Sequence, residues 1–342
     1  MEKKTAVVIL NWNGRQLLEK FLPFVVENTP METVEIIVVD NGSTDDSVDF
    51  IETRHPSILT IRFDKNYGFA GGYNRALSQL SHEYIVLLNS DVEVTRGWLT
   101  TVTDYLDSNP DVAVVQPKIL SYHDKTSFEY AGASGGYLDM YGYPFCRGRI
   151  FSSVETDKGQ YDTPAEVFWA SGACLFIRRR DYFDGGCFDE RFFSHQEEID
   201  LCWRLRRSGR KVVCLPQSIV YHVGGGTLGM GHSHKTFLNF RNNLLMLHKN
   251  LPRRYYCRVF VYRFFSDCAA AFGFLLMGRP SNAWSVLRAI WSFYRIRGGC
   301  GFLRGAYRCE ADGGDFPDGV FRGSLLSAYY LRGRRKFSCY RF

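Results

Sequence analysis

Four short runs of aliphatic and β-branched residues, each closed by Asn or Asp or leading into one, alternate with helical patterns and confine this chain to an α/β fold. Thr5 to Leu10 reads as a strand buried on both faces, and Asn11-Trp12-Asn13-Gly14 stops it before a helical pattern from Arg15 to about Val26. Glu35 to Val39 is a second such strand ending at Asp40, and Asn41-Gly42-Ser43-Thr44 then leads into a helix predicted to be capped by Ser43 or Thr44. A third strand, Ile58 to Phe63, runs into the glycine-rich segment 66–74, with a short helix beyond it. A fourth, Tyr84 to Leu88, ends at Asn89-Ser90-Asp91. Such alternation specifies a mostly parallel sheet with helices on both faces.

Ligands of these sheets sit beyond the carboxyl ends of the strands, which here carry Asn11, Asp40, Asn66 and Asp91. Asp40 taken alone serves equally as a turn cap. Asp91, a carboxylate directly after a hydrophobic strand, suits a hard cation such as Mg²⁺ or Mn²⁺ that completes its shell with phosphate oxygens and water. The 66–74 segment has neither the dinucleotide nor the P-loop glycine spacing, so a loop that lets backbone approach a ligand and a simple tight turn both stay open. Further on, Glu197, Glu198 and Asp200 crowd three carboxylates into four positions at what reads as a helix start. Either they favour the positive end of the helix dipole at the surface, or a cation, a proton or a reacting group offsets their repulsion.

Six segments carry a family resemblance in their order along the chain: Val7-Val8-Ile9-Leu10-Asn11-Trp12-Asn13-Gly14, Val38-Val39-Asp40-Asn41-Gly42-Ser43-Thr44-Asp45, Asn66-Tyr67-Gly68-Phe69-Ala70-Gly71-Gly72-Tyr73-Asn74, Leu87-Leu88-Asn89-Ser90-Asp91, Ser171-Gly172-Ala173-Cys174 and Glu197-Glu198-Ile199-Asp200-Leu201-Cys202-Trp203-Arg204. Over about residues 5 to 245 the chain resembles the family 2 glycosyltransferases, nucleotide-sugar-dependent enzymes of the GT-A fold, in particular the bacterial rhamnosyltransferase-like branch that builds surface polysaccharides.

The resemblance implies that Asp40 contacts the nucleotide base or ribose, with Asn11, Asn13 and Asn66 lining the same pocket. Asp91 takes the last position of the family's D-x-D motif, which holds a divalent metal, Mg²⁺ or Mn²⁺, against the diphosphate. Asn89 stands at the first position of that motif, where an amide bonds the ribose but adds no charge. His222, in Val220-Tyr221-His222-Val223-Gly224-Gly225-Gly226, matches a histidine that ligates the metal in some members, although a lone His after a strand equally suits an ordinary hydrogen-bonded role. The family transfers a sugar with inversion, an acceptor hydroxyl attacking the anomeric carbon as the nucleotide diphosphate leaves. Glu198 occupies the place of the catalytic Asp and is the expected general base, one methylene longer. Glu197 and Asp200 are expected to shape the acceptor pocket or hold neighbouring helices, with Trp203 and Arg204 a turn further on. The small Gly172 would let backbone approach the donor sugar.

Between about Lys118 and Glu166, Tyr130, Gly132, Gly135, Gly136, Tyr137, Tyr141, Gly142 and Tyr143 give irregular strands and loops, whose aromatics either stack on acceptor sugars or simply pack down. Glu166 to Ile177 then returns as a strand. Residues 1–245 are thus expected to form the catalytic domain, 1–117 holding the nucleotide sugar and 118–245 the acceptor and catalytic half, with 246–342 a basic, aromatic helical extension. Residues 241–342 hold 18 Lys/Arg against 5 Asp/Glu, a net +13 that leaves −7 for the first 240 of a chain of net +6. No run in the extension reaches the roughly 18 uncharged apolar residues of a spanning helix. The pattern suits helices lying in a membrane interface, with Arg253, Arg254, Arg258 and Arg263 at anionic head groups. Packing on the catalytic domain or on a second subunit is the alternative.

The ten cysteines show neither a C-x-x-C pair nor a zinc spacing, and no signal peptide precedes them. Most are expected as small core residues in a reducing cytosol, with the enzyme at the cytoplasmic face of the membrane. Arginines that alternate with apolar residues, without a recognition motif, argue against nucleic acid. The expected partners are a nucleotide-diphosphate sugar, a glycan or lipid-linked acceptor and an anionic membrane surface. Two other readings remain: a sugar-nucleotide nucleotidyltransferase, which would want Arg and Lys in a glycine-rich N-terminal loop, and an inactive binding protein of the same fold, to which Asn89 and Glu198 would point.

Overall fold

The structure is a computed structural model that describes residues 3–224, 232–300 and 315–342. Burial on both faces puts β1 (Thr5–Asn11) inside the main sheet, paired in parallel with β2 (Val34–Asp40) on one side and β4 (Tyr84–Leu88) on the other. β3 (Leu59–Arg62) extends the parallel set beyond β2. On the other side β12 (Cys174–Arg178) runs antiparallel between β4 and β6 (Val112–Ser121), and β6 pairs in parallel with β13 (Lys211–His222). The short β5 (Val92–Val94) and β11 (Ala165–Glu166) both run against β13. The sheet is therefore mixed, with antiparallel β12 separating the parallel set β4, β1, β2 and β3 from the parallel pair β6 and β13.

Alternation along β1 divides the core: Val7 and Ile9 join one apolar cluster, Ala6 and Val8 the other. The first cluster is closed by α1 (Arg15–Glu27), α2 (Ser47–Arg54) and α4 (Thr100–Ser108). The second is closed by α3 (Gly68–Leu77), α5 (Arg179–Asp184), α6 (Glu197–Arg207) and α7 (Ser233–Asn250). Much of the 118–166 region is a small second sheet of β7 (Gly136–Asp139), β8 (Pro144–Cys146), β9 (Arg149–Ile150) and β10 (Ser153–Val154), joined by β14 (Val320–Phe321) from the far end of the chain. Its aromatics pack down: Tyr137 stacks near Phe145 and Phe337, and Tyr141 stacks on Tyr262 at 3.7 Å.

Several expectations are corrected. Ser43 and Thr44 do not cap α2, which starts at Ser47, because both are drawn to the β1 loop: Asn13 N donates to Ser43 Oγ (2.9 Å) and Thr44 N to Asn13 Oδ1 (2.7 Å). The N-cap is Asp46, whose side chain makes no capping bond, while Asp45 before it accepts from Ser47 N at 3.1 Å. The glycine-rich segment is neither a free loop nor a tight turn, for α3 begins inside it at Gly68. Residues 167–173 are not strand, since the main-chain groups of Trp169 bond Gly136 in the second sheet and strand pairing in the first resumes at Cys174. Of the eight cysteines whose side chains are described four are buried, so core packing accounts for half of them.

Two helices of the extension, α8 (Arg253–Leu276) and α9 (Pro280–Ile296), pack on each other, and α9 also lies along α7. α7 runs unbroken through residue 245. By length and composition α8 is apolar enough to cross a membrane, which the count of uncharged residues missed because Arg263 and Asp267 interrupt it. Those two pair with each other at 3.0 Å and are buried. Arg263 also donates to Tyr141 O (3.2 Å) and to Asn243 Oδ1, so it fastens α8 to the protein and is not available to head groups.

Gly68 has φ +74, and a Cβ there would stand 2.6 Å from Phe193 O and 2.5 Å from the Phe193 ring. Gly68→Ala should therefore lower stability by more than the about 1–2 kcal/mol of left-handed strain alone. Gly209→Ala, at φ +82 with nothing within 4 Å, should show only the strain. Thermal unfolding of the two variants checks the difference; equal losses would mean that Phe193 gives way without cost.

Candidate active site

The carboxyl ends of β1 and β2 bring Asn11, Asn13, Asp40 and Asn41 together. Asp40 Oδ2 accepts from Ser43 N (3.2 Å) and Asn11 Nδ2 donates to Ser43 Oγ (3.3 Å), leaving Asn11 Oδ1 and Asp40 Oδ1 buried and without a partner. Buried acceptors of this kind are costly unless a ligand supplies donors. Asn41, not singled out from sequence, ties the next loop in place: its Nδ2 reaches Asn66 Oδ1 (3.1 Å) and Gly68 O (3.0 Å), and its Oδ1 accepts from Tyr67 N (3.0 Å). Asn66 Oδ1 also accepts from Gly68 N at 2.7 Å, so Asn66 shapes the start of α3. Gly172 faces the Phe69 ring, 3.1 Å from where a Cβ would lie.

β4 delivers Asn89 and Asp91 to the same rim, and the end of β13 brings His222 beside them. His222 Nε2 lies 3.1 Å from Asp91 Oδ1 and 3.5 Å from Asn89 Nδ2. Its Nδ1 lies 3.4 Å from Glu129 Oε1, and Asp91, Glu129 and His222 are all buried. Burial would lower the imidazole, but Asp91 and Glu129 on its two sides outweigh it and raise His222 to about 10. A carboxylate and an imidazole that converge in a buried spot are donors a Mg²⁺ or Mn²⁺ ion accepts once it displaces the Nε2 proton, with its remaining positions left to phosphate and water. Gly225 and Gly226 of the adjoining motif lie outside the described residues.

The acidic helix start is not at the surface. Glu197 is buried and Glu198 half-buried, and each keeps an enclosed Oε2 with no partner. Burial, and then the charge of Glu198, push Glu197 far above the usual carboxylate range, whereas burial opposed by backbone N–H groups raises Glu198 to about 7. The chain enters this helix through Phe193, His195 and Gln196, with φ of 62°, 71° and 74°. Such backbone persists only where the surroundings hold it. Asn242 of α7 does so, its Nδ2 donating to Phe192 O, Ser194 O and His195 O at 2.8–2.9 Å. Phe193 O accepts from Phe69 N (2.7 Å) and Ala70 N (3.2 Å), which joins the acidic loop to α3. Burial, helped by Lys235 and His234, lowers the enclosed His195 to about 4 and keeps it neutral. Lys235 lies two turns before Asn242 on α7; its ammonium is lowered by burial and opposed by Glu129 and Asp91.

Asp200 and Arg204 belong to a buried cluster of ion pairs. Asp200 Oδ2 accepts from Lys249 Nζ (2.7 Å) and Arg204 Nε (3.0 Å), and its Oδ1 from Asn250 Nδ2 (2.7 Å). Lys249 also bonds Asp189 Oδ2 at 2.8 Å, and Arg204 reaches Cys187 O at 2.7 Å. Trp203 is buried, edge-on to Phe168 at 5.3 Å. Burial opposes ionisation of Asp200, but Lys249 and Arg204 outweigh it and hold its carboxyl below the usual range. That contribution to stability is complete above the unfolded-state pKa of about 4 and is lost as pH falls through the lowered folded value. Asp200→Asn should cost about 3–5 kcal/mol by leaving buried cations short of charge. Denaturant unfolding measures this; an unfolding curve like the wild type's with activity lost would give Asp200 a chemical role.

Residues 6–183 match the model of glycosyl transferase family 2. A Mycobacterium tuberculosis N-acetylglucosaminyl-diphospho-decaprenol L-rhamnosyltransferase is 26% identical over 234 residues, 63% of this chain and 75% of its own. The Escherichia coli rhamnosyltransferase WbbL is 23% identical over 262 residues, 72% of this chain and 92% of its own. Among solved structures, a Pyrobaculum calidifontis mannosyltransferase in complex with GDP-Man and Mn²⁺ superposes with TM-score 0.54 at 14% identity, covering 89% of this chain and 84% of its own. S. aureus TarS 1–349 in complex with UDP-GlcNAc gives 0.56 at 14% identity, covering 89% and 88%. The strand-end asparagines and aspartates, the buried Asp91–His222 pair and the enclosed acidic helix start thus sit on a GT-A sheet, and the chain belongs to glycosyl transferase family 2.

Proposed function

We propose that this glycosyltransferase moves a sugar, with inversion, from a nucleotide-diphosphate sugar to a glycan or lipid-linked acceptor in surface polysaccharide synthesis. The observation that carries the reading is Glu198, a carboxyl raised by burial to about 7 with an unpartnered oxygen at the start of α6. A base of that strength is matched to taking the acceptor's hydroxyl proton near neutral pH. Glu197, more deeply buried and held protonated, is unsuited to the task. The unpartnered oxygens of Asn11 and Asp40 would receive donors from the base or ribose, and Asn13, Asn66 and Asn89 would shape that pocket. Asp91 and His222 would hold a Mg²⁺ or Mn²⁺ ion against the diphosphate. Bound there, the metal supplies Lewis-acid stabilisation of the departing phosphate charge. Lys235 adds a desolvated positive charge on the same side.

Transfer assayed across nucleotide sugars tests the assignment. Glu198→Gln should lower kcat by on the order of 10²–10⁴ with donor affinity nearly unchanged. Because only the ionised carboxyl accepts a proton, wild-type kcat should rise with pH through about 7. Retained activity in Glu198→Gln would move the base elsewhere.

The same reading includes peripheral attachment to an anionic membrane, supported by the outer faces of α8 and α9. Val259, Arg263, Asp267 and Ala271 are buried against the protein, while Phe265, Phe272, Leu276, Trp284 and Trp291 are more than half exposed. An open apolar groove of about 830 Å³ runs along α8 beside Val261, Tyr262 and Phe265. Helices with apolar outer faces and exposed arginines suit a head-group boundary. Replacing the exposed Arg258, Arg279, Arg288 and Arg295 by Glu should release the protein from anionic vesicles, each basic residue being worth about 1 kcal/mol there. Unchanged vesicle sedimentation would leave those faces to another partner.

A further inference from the structure

Glu129 is a buried carboxylate that no sequence motif contains, and it is aimed. Its Oε2 accepts from Ala131 N and its own N–H donates to Ile119 O at 3.0 Å, which leaves Oε1 facing His222 Nδ1 at 3.4 Å. The same oxygen lies 2.8 Å from where a Cβ on Gly224 would stand, and Gly224, at φ +73, is left-handed backbone. Glu129 therefore fills the space between the His222 ring and the departing chain. Asp91 meets the ring at Nε2 and Glu129 meets it at Nδ1, so the two carboxylates sit at different edges of the imidazole.

We propose that Glu129 is the positioning residue of the metal site, fixing the orientation and tautomer of His222. This rests on the reading that His222 and Asp91 hold the metal. An imidazole that donates Nδ1–H to a carboxylate presents the Nε2 lone pair on its opposite edge, and Nε2 is the atom beside Asp91. A carboxylate behind a ligating histidine also makes the ring a stronger donor, and losing such a partner typically weakens metal binding 10- to 100-fold. The 3.4 Å separation is longer than an aligned hydrogen bond, and it should tighten when an ion on Nε2 polarises Nδ1–H and makes it a stronger donor to Glu129.

The test is Mn²⁺ binding to the full chain, read from the free-ion electron paramagnetic resonance signal with MnCl₂ alone. Wild type, Glu129→Ala, Glu129→Gln and His222→Ala are compared, with UDP binding in EDTA measured alongside. Glu129→Ala should weaken Mn²⁺ by about 10- to 100-fold. Glu129→Gln, which keeps one acceptor where the carboxylate has two, should fall between it and the wild type and guards against an Ala variant that fails to fold. UDP binding without metal should not change. If His222→Ala weakens Mn²⁺ while both Glu129 variants match the wild type, the positioning role is overturned and the metal reading stands. If His222→Ala binds Mn²⁺ as the wild type does, the metal reading fails and the proposal fails with it.

Discussion

One amide governs the geometry of the loop that enters α6. Asn242 donates to three main-chain carbonyls of residues 192–195, in a segment where three non-glycine residues have positive φ. Each such residue stores on the order of 1–3 kcal/mol of strain, which the surrounding contacts must offset. Seven residues along the same helix, Lys249 closes the other side through Asp200 and Asp189. α7 is thus a splint. It holds the strained entry to α6 at one end and the charged interior of α6 at the other, and it leaves the Glu198 carboxyl at the lip between them.

This arrangement separates the three acidic residues that look alike in sequence. Asp200 is ionised because two cations meet it, Glu197 is pushed toward its neutral form by enclosure and by its neighbour, and Glu198 lies between these limits. Three carboxyls within one helical turn acquire three protonation behaviours from position alone. The histidine pair follows the same rule in reverse. His195, enclosed near positive charge, is lowered, and His222, flanked by carboxylates, is raised.

Strand positions and rim residues were legible in the sequence because a strand buried on both faces leaves an unbroken apolar run and stops at a polar residue. β4 matches Tyr84 to Leu88 at both ends, and Asp91 and His222 meet although 131 positions part them. Helix starts were less legible, since capping side chains were diverted to tertiary partners: Ser43 and Thr44 bond the β1 loop instead of α2. Glu129, Asn41, Asn242 and Lys249 were missed for a related reason. A lone polar residue in an irregular or helical stretch has no periodic signature, and its importance comes from what the fold brings opposite it. In the extension the pattern gave charge and aromaticity but not which face each occupied, so Arg263 was counted with exposed arginines although Asp267, one turn on, neutralises it inside.

The contact between Phe193 and α3 bears on how phosphate is handled. A helix that opens with glycines beside a nucleotide pocket resembles an anion cradle, in which free amides point at the ligand. Here Phe193 O already occupies the amides of Phe69 and Ala70, and the glycine at residue 68 serves that closure. On the proposed reading, the leaving group's negative charge would then be answered by side chains, by Lys235 and by the ion that Asp91 and His222 would hold. Backbone amides are the same in every sequence, whereas side chains change one at a time; a fold whose helix terminus is plugged from within keeps its preference for one donor over another open to single substitutions.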